Sequence, residues 1–461
     1  MKNLALIFSA FLITISLQGQ DIAGDWNGVL KVQGMQLRLV FHITKADNGY
    51  ASTLDSPDQG ALGIPVTSTE LDGTAITLKV DPLRIVYSGI INTENEIEGT
   101  FTQSGQSFPM NLTQTPIEKS EPKRPQEPKP PFPYKSEDVK LPSLDGSFEL
   151  AGTLTLPRDK SDYPVVILIS GSGPQNRDEE LLGHKPFLVL SDHLTRNGIG
   201  VLRYDDRGVA ESGGDRQNAT SLDFANDVQA VVNFLKKRKD IGKNPIGLIG
   251  HSEGGLIAPM VASKSKDVDF IVLMAGPGVP GDQIIIEQTG LILKSAGNSE
   301  ERIQSELNLS RGAFDIIKSS QNPDSIKSDL LSYFSESMKD APLPEGTSIE
   351  EFLEPQLAQL TSPWFQYFLS YDPTTSLSKV QCPVLAINGE KDLQVPPNNL
   401  QLIHAALVKG GNKNVTVSEF PGLNHLFQTS ETGAVNEYAT IEETMAPVVL
   451  KRITDWILAL R

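Results

Sequence analysis

The residue with the clearest chemical potential is Ser252, the centre of a G-x-S-x-G motif at residues 250–254. An apolar run typical of a buried strand precedes the motif, and a helical pattern follows it. So sharp a turn forces the serine backbone into a strained conformation, and the two glycines remove side chains that would clash. The pattern predicts a nucleophilic serine at the end of a strand, near the amide groups of a helix N-terminus.

A serine hydroxyl needs a base within hydrogen-bond reach, and histidine suits that task near neutral pH. His425 follows the last predicted strand and is the predicted base, whereas His251 lies inside the turn, from which its side chain cannot easily return to Ser252. The base needs an acid to orient it and stabilise its charged form. Asp392, after a buried strand, is the predicted acid, with Glu390, nearer the strand end, as the alternative.

Two backbone N–H groups are needed to hold an oxyanion. Glu253 directly follows the nucleophile and is predicted to supply one of them. The second is predicted from the glycine-rich loop at residues 170–174, with Ser172 as the donor and Gly171 and Gly173 as neighbours that line the substrate site. A plain glycine turn is the alternative interpretation of this loop.

The elements that must position these residues begin near residue 134, where short apolar strands alternate with helical stretches. This pattern predicts a mostly parallel sheet covered on both faces, in which ligands bind at the carboxyl ends of the strands. The predicted strands cover residues 148–156, 165–169, 199–204, 246–249, 270–274, 384–387 and 415–420. The candidate residues follow these strands, so we expect them at one edge of the sheet.

A long insertion interrupts this alternation between residues 276 and 372, where only helical patterns occur, at 283–295, 300–318, 324–338 and 349–371. It is predicted to form a helical cap, at about residues 281–372, over the active edge. Its most aromatic stretch contains Trp364 and Phe368. These two side chains are predicted to form an apolar wall for the substrate, with packing of the cap on the core as the alternative.

The N-terminal third has a different organisation. Residues 1–20 resemble a secretory signal peptide, which predicts an exported, periplasmic or secreted protein, with an uncleaved anchor as the alternative. Residues 21–115 alternate with period two and predict a small all-β accessory domain, a barrel or a sandwich. Residues 116–133 are dense in proline, lysine and glutamate and predict a linker between this domain and residues 134–461.

Composition excludes several classes of partner. The net charge of −17 argues against nucleic acid, since phosphate binding needs a basic face. The single cysteine, Cys382, cannot form an internal disulfide. No stretch after the signal is long and apolar enough to span a bilayer. No histidine pair has ligand spacing, so no metal or other cofactor is expected. The oligomeric state stays open.

Five motifs in residues 134–461, taken together in their order, resemble the serine esterases of the α/β-hydrolase superfamily. They are SGSGPQNRD (170–178), RYDDRG (203–208), GHSEG (250–254), GEKD (389–392) and GLNH (422–425). The chain order serine, aspartate, histidine is also that of this superfamily. The resemblance implies an α/β-hydrolase fold and a carboxylesterase or a serine aminopeptidase-like hydrolase. The oxyanion loop departs from the histidine–glycine that is usual in the superfamily, because it reads Ser170-Gly171. Asp206 and Arg207 resemble a structural pair.

The predicted function is therefore hydrolysis of a small carboxylic ester through an acyl-enzyme intermediate, with Ser252, Asp392 and His425 as the catalytic residues. A serine peptidase that acts on short peptides is the first alternative. The second is a non-catalytic binding protein on a hydrolase scaffold, against which the intact set of three residues speaks. Dehalogenase and epoxide hydrolase chemistry is disfavoured, because it wants an aspartate where Ser252 stands.

Overall fold

The structure is a computed structural model that describes residues 21–460 except 33–34, 48, 104, 119–122, 159–161, 321, 340–342 and 344–346. The predicted signal peptide, residues 1–20, lies outside the described residues. The chain divides into two compact units, Met1–Glu121 and Pro122–Arg461. Among the described helices, none is long and apolar enough to cross a membrane.

The first unit is an antiparallel β-sheet. Its strands are β1 (Gly24–Val32), β2 (Met35–Ala46), β3 (Gly49–Ser56), β4 (Ala61–Pro65), β5 (Ser68–Asp72), β6 (Ala75–Val80), β7 (Ile85–Ile91), β8 (Ile97–Gln103), β9 (Gln106–Pro109) and β10 (Leu112–Thr113). They follow the order β4-β3-β2-β1-β10-β8-β7-β6-β5, with β9 paired to β8. Alternate residues of β2, namely Leu39, Phe41 and Ile43, are buried in the core of this unit, because successive side chains of a strand point to opposite faces.

The second unit is built on an eight-stranded sheet of order β11-β12-β14-β13-β15-β16-β17-β18. The strands are β11 (Lys135–Pro142), β12 (Glu149–Leu156), β13 (Val165–Ile169), β14 (Gly200–Tyr204), β15 (Ile246–His251), β16 (Phe270–Met274), β17 (Val384–Gly389) and β18 (Val415–Phe420). Strands from β13 onward pair in parallel, whereas β11 and β12 form an antiparallel hairpin that also pairs antiparallel with β14. The sheet is therefore mixed, and the prediction of a mostly parallel sheet missed β11, a largely polar edge strand.

Helices cover both faces of this sheet and also form the insertion between β16 and β17. The helices are α1 (Pro186–Arg196), α2 (Ser221–Lys237), α3 (Glu253–Ala262), α4 (Gly281–Ser295), α5 (Glu300–Ser319), α6 (Pro323–Ser337), α7 (Ile349–Leu360), α8 (Pro363–Ser370), α9 (Thr374–Leu377), α10 (Asn399–Lys409) and α11 (Pro447–Ala459). One apolar cluster joins the sheet to α2, α3 and α10, and the other joins it to α1 and α11. Two-sided coverage explains why the inner strands are apolar throughout.

The insertion has an apolar core of its own, which includes Phe314, Leu330, Leu357 and Phe365. The single helix predicted for residues 349–371 is two helices, α7 and α8. The break occurs because the Ser362 side chain accepts a hydrogen bond from the Phe365 amide and so caps a new helix. Pro363, the first residue of α8, lacks the N–H that a continuous helix would need.

The proline-rich segment at residues 116–133 is not a free connector along its whole length. Its second half belongs to the second unit, because the Arg124 guanidinium donates to four backbone carbonyls of that unit. These are the carbonyls of Leu182, Gly183, Ala439 and Ile441. The Gln126 side chain also bonds the backbone near residue 445. Composition alone does not reveal this attachment, because it rests on two polar side chains in an otherwise linker-like segment.

Candidate active site

The turn between β15 and α3 has the strained geometry that its motif predicts. Ser252 adopts φ 51° and ψ −116°, a conformation that a residue with a side chain seldom takes. A Cβ placed on Gly250 would lie 1.9 Å from the Gly254 carbonyl oxygen, and one on Gly254 would lie 2.1 Å from the Ile169 carbonyl oxygen. Both positions therefore require glycine, and the turn presses against the end of β13.

His425 and Asp392 form a buried pair at the same edge of the sheet. The His425 Nδ1–H donates to Asp392 Oδ2 over 2.8 Å, and the other carboxylate oxygen accepts the amides of Gln394 and Val395 at 2.8 and 2.9 Å. Glu390, the alternative acid, instead accepts a backbone amide of the loop after β18. Asp392 is thus held in place by three donors, one of which is the His425 ring.

The link between Ser252 and His425 runs through the residue before the serine. In the described part of the chain the Ser252 hydroxyl makes no hydrogen bond to His425. The His251 Nε2–H, however, donates to the His425 carbonyl oxygen over 3.0 Å, and the two imidazole rings lie 4.8 Å apart. Bonds between nucleophile and base are often long without substrate and tighten when it binds.

The glycine-rich loop lies directly against the nucleophile. A Cβ on Gly171 would be 3.2 Å from the Ser252 Cβ, and Gly173 adopts a φ of 95°. The Gly171 amide donates to Glu179 Oε1 over 2.7 Å, so it is not free to bind substrate. By contrast, the amides of Ser172 and Glu253 have no hydrogen-bond acceptor in the described part of the chain. Of the loop residues named from sequence, Ser172 and Gly173 thus keep amides without an acceptor among the described residues, whereas Gly171 does not.

The Glu253 side chain joins the nucleophile turn to the cap. Its Oε1 accepts hydrogen bonds from the Ser221 hydroxyl at 2.6 Å and from the Trp364 indole N–H at 2.9 Å. Burial raises the pKa of this carboxyl above its ordinary value. Trp364 also stacks on Phe368, with ring centroids 5.3 Å apart, and Phe368 is buried. The two aromatic residues predicted to line the substrate site therefore also pack helix α8 near the turn.

Asp206 and Arg207, which resemble a structural pair, have different partners. Arg207 forms an ion pair with Asp227 over 2.6 Å, whereas Asp206 accepts from the Ser170 hydroxyl and from Arg216. The interpretation of these two residues as one pair is wrong. Arg207 anchors α2, and Asp206 is a separate, half-buried carboxylate beside the glycine-rich loop.

Two residues at this edge have contacts that the sequence analysis missed. The sequence does not point to Glu179, and it disfavours His251 as the base because a side chain inside the turn cannot easily return to Ser252. The structure brings them within 2.9 Å of each other, although 72 positions separate them in the chain. A histidine inside the motif was a visible signal, but its partner lies in an irregular loop without periodicity.

Comparison with known proteins agrees with this architecture. The family model described as "Serine aminopeptidase, S33" matches residues 186–332, and the model of the "Prolyl oligopeptidase family" matches residues 332–446. Together they cover the nucleophile turn, the cap and the loops that carry Asp392 and His425. The sheet topology and these two matches are those of an α/β-hydrolase fold. The strained serine turn and the buried pair thus lie where an α/β-hydrolase carries its reactive groups.

Among curated α/β-hydrolase relatives, Esterase EstD of Thermotoga maritima is 27% identical over 310 residues, which are 67% of this chain. The matched stretch spans 64% of the length of EstD. A solved structure of an esterase from Pyrococcus furiosus overlaps 71% of this chain and 93% of its own, with 19% identity and a TM-score of 0.41. Est1E of Butyrivibrio proteoclasticus, solved with ferulic acid, overlaps 70% of this chain and 98% of its own, with 18% identity and a TM-score of 0.41.

Proposed function

We propose that this α/β-hydrolase cleaves carboxylic esters through an acyl-enzyme intermediate, with Ser252 as nucleophile, His425 as base and Asp392 as its orienting acid. The observation that carries the proposal is the buried hydrogen bond of 2.8 Å between His425 and Asp392, at the edge where the strained Ser252 turn ends its strand. The likeness to EstD, an esterase by name, supports an ester as the substrate.

The proposed reaction needs only groups that the chain supplies, together with the ester and one water. His425 takes the Ser252 proton as the serine oxygen attacks the ester carbonyl, and the amides of Glu253 and Ser172 bind the resulting oxyanion. The tetrahedral intermediate collapses, the bond to the alcohol breaks, and His425 protonates the leaving alcohol. Water, activated by His425, then attacks the acyl-enzyme and frees the acid. Asp392 keeps the His425 ring in the required tautomer throughout.

The test is a set of variants assayed on a short-chain ester and with a fluorophosphonate probe. Ser252→Ala and His425→Ala should each lower kcat by several orders of magnitude, and the double variant should lose little more, because the residues act as one unit. Asp392→Asn should cost somewhat less, up to about 10⁴-fold, by leaving the imidazole in the wrong tautomer. Glu390→Gln is the matched control and should stay near wild type. An inactive Glu390→Gln beside an active Asp392→Asn would assign the acid to Glu390, and an active Ser252→Ala would refute the proposal.

A serine peptidase that acts on short peptides is the second candidate. It is favoured by the two matching family models, whose descriptions are both those of peptidases. The same residues would attack an amide carbonyl, and His425 would protonate an amine as it leaves. Parallel assays with p-nitrophenyl esters and aminoacyl p-nitroanilides test the two candidates, with the rate of Ser252→Ala subtracted as background. A higher kcat/KM for the esters favours the esterase, and a higher kcat/KM for the anilides favours the peptidase.

A further inference from the structure

Three parts of the active edge converge on one buried ion pair, Glu179 with His251. Glu179 Oε1 accepts both the Gly171 amide at 2.7 Å and the His251 Nδ1–H at 2.9 Å. The other ring nitrogen of His251 donates to the His425 carbonyl oxygen at 3.0 Å. Glu179 is 5% exposed and His251 6% exposed, so water does not compete for these bonds.

Both nitrogens of the His251 ring face acceptors that cannot donate. A carboxylate and a backbone carbonyl both accept only, and a neutral imidazole carries a single N–H. Satisfying both contacts therefore requires the doubly protonated imidazolium. Burial opposes this charge, but the adjacent Glu179 carboxylate outweighs it and holds the pKa of His251 above its ordinary value.

We propose that Glu179 and His251 form a positioning pair that holds the oxyanion loop and the base loop in register with Ser252. This inference rests on the proposed function, because it assigns the pair to the same reaction. Glu179 occupies the Gly171 amide and so leaves the next amide, that of Ser172, as the donor for substrate. His251, bonded to the carbonyl of His425, fixes the backbone that carries the base.

The geometry around Glu179 agrees with a positioning role. Its backbone adopts a φ of 51°, which is unfavourable for a residue with a side chain, so surrounding contacts must hold it there. The titratable groups that face His251 are Glu179, His425 and Asp392, and the remaining ring against it is that of Phe427. The pair adds no net charge beside the base, because the imidazolium and the carboxylate cancel.

The variant that tests the pair is Glu179→Gln, which keeps the shape of the side chain and removes its charge. We expect kcat to fall about 10- to 100-fold with KM nearly unchanged, because a small displacement of reacting groups is costly while substrate binding persists. Glu180→Gln is the matched control, since the neighbouring Glu180 is exposed and bonds only the Asn176 side chain among described residues. A kcat of Glu179→Gln equal to that of the control would overturn the proposal.

The pH profile gives a readout that a purely structural role would not move. In Glu179→Gln the counter-charge is gone, so His251 loses its second proton at lower pH than in the wild type. Acid should restore that proton, so the ratio of variant to wild-type kcat/KM should rise as the pH falls from about 8 to about 6. A ratio that stays constant with pH would contradict the inference.

Nitrogen NMR of the wild-type protein tests the imidazolium directly and keeps the inference testable if Glu179→Gln fails to fold. With ¹⁵N-labelled histidine, the His251 ring, assigned by its loss in His251→Asn, should carry protons on both nitrogens at about pH 8. A singly protonated ring there would overturn the proposal. Failure of the fluorophosphonate probe to label the wild type would instead refute the proposed function, so the two failures are told apart.

Discussion

Asp206 is a half-buried carboxylate beside the glycine-rich loop, two residues beyond the end of its strand. Its oxygens accept the Ser170 hydroxyl at 2.8 Å, the Gln175 amide at 3.2 Å and the Arg216 guanidinium at 3.1 Å. Burial outweighs these donors and raises the pKa of Asp206 from 3.8 to about 7. Folding therefore takes up a proton at this site wherever the pH lies between those two values.

This pKa shift should be visible when the stability of the wild type is compared with that of Asp206→Asn at different pH values. A carboxyl whose folded pKa is raised favours the native state while protonated, and that contribution disappears as the pH rises toward about 7. The free energy of unfolding of the wild type, relative to Asp206→Asn, should thus fall by a few kcal/mol between about pH 4 and pH 8 in urea titrations. Asp215→Asn is the control, because hydrogen bonds from Asn218 lower the pKa of Asp215 below its ordinary 3.8, so its contribution changes little between about pH 4 and pH 8. A wild-type to Asp206→Asn difference that is flat with pH would show that Asp206 is charged throughout.

Helix α8 is the element that joins the cap to the chemistry. Trp364 makes two separate contacts: its indole N–H donates a hydrogen bond to Glu253, and its aromatic face stacks on Phe368. The hydrogen bond is made to Glu253, whose amide is a proposed oxyanion donor, whereas the face of the Trp364 ring is apolar surface near the turn. Substitutions can separate these two contributions.

Trp364→Phe keeps the ring and removes the N–H, whereas Trp364→Ala removes both. If the aromatic surface selects the acyl group, Trp364→Ala and Phe368→Ala should change the kcat/KM ratio between long and short acyl esters about 10-fold, the scale of one or two methylenes in an apolar pocket. Trp364→Phe should leave that ratio unchanged. The measurement is a panel of p-nitrophenyl esters, normalised to probe labelling of Ser252. If the alanine variants fold and their preference among acyl lengths is unchanged, Trp364 and Phe368 have a packing role and do not select the acyl group.

The sequence predicts some strands and helices more accurately than others. The strands β13 and β16 have the predicted bounds, because continuous apolar runs bounded by turns leave little choice, and β18, in which apolar and polar residues are mixed, has its predicted bounds too. Strand β11 was missed, since a sheet edge buries few of its side chains and so carries a weak pattern. The break before Pro363 was visible as a Ser-Pro pair, but apolar periodicity on both sides masked it.

The residues of the candidate site likewise include some that the sequence predicts and some that it does not. Local motifs predicted the strained turn at Ser252 and the neighbourhood of His425 and Asp392, because each follows a strand that ends at one sheet edge. The Glu179–His251 pair could not be predicted, since its two members are distant in sequence and one lies in an irregular loop. Long-range polar contacts of this kind leave no periodic trace in a single sequence.

At the scale of the whole molecule, the boundary between the two units falls at residues 121 and 122, inside the predicted linker. The proposed catalytic residues all lie after it. Arg124 and Gln126, although linker-like by composition, bond the backbone of the hydrolase unit at several points. The compact unit that carries these residues is therefore longer than residues 134–461, because it begins at Pro122.

Two truncated chains test this boundary. A chain that begins at Lys123 should fold and keep its turnover of small soluble esters, whereas one that begins at Tyr134 should be less stable by about 1 to 3 kcal/mol, because partly buried carbonyls lose the Arg124 donors. Thermal unfolding and ester assays of both chains make the comparison, with Arg124→Ala in the full chain as the matched control. Equal stability of the two chains would make Arg124 dispensable, and an inactive chain from Lys123 would give the β unit a part in catalysis.

The bond between Trp364 and Glu253 also has an optical consequence. The chain has three tryptophans, of which Trp26 donates to a backbone carbonyl in the first unit and Trp456 packs against Phe270. Trp364 donates to a carboxylate at the nucleophile turn, so the emission of its indole depends on whether α8 sits on that turn. In a background with Trp26→Phe and Trp456→Phe, the protein carries its own fluorophore for the cap, and stopped-flow fluorescence can follow cap movement without an added label.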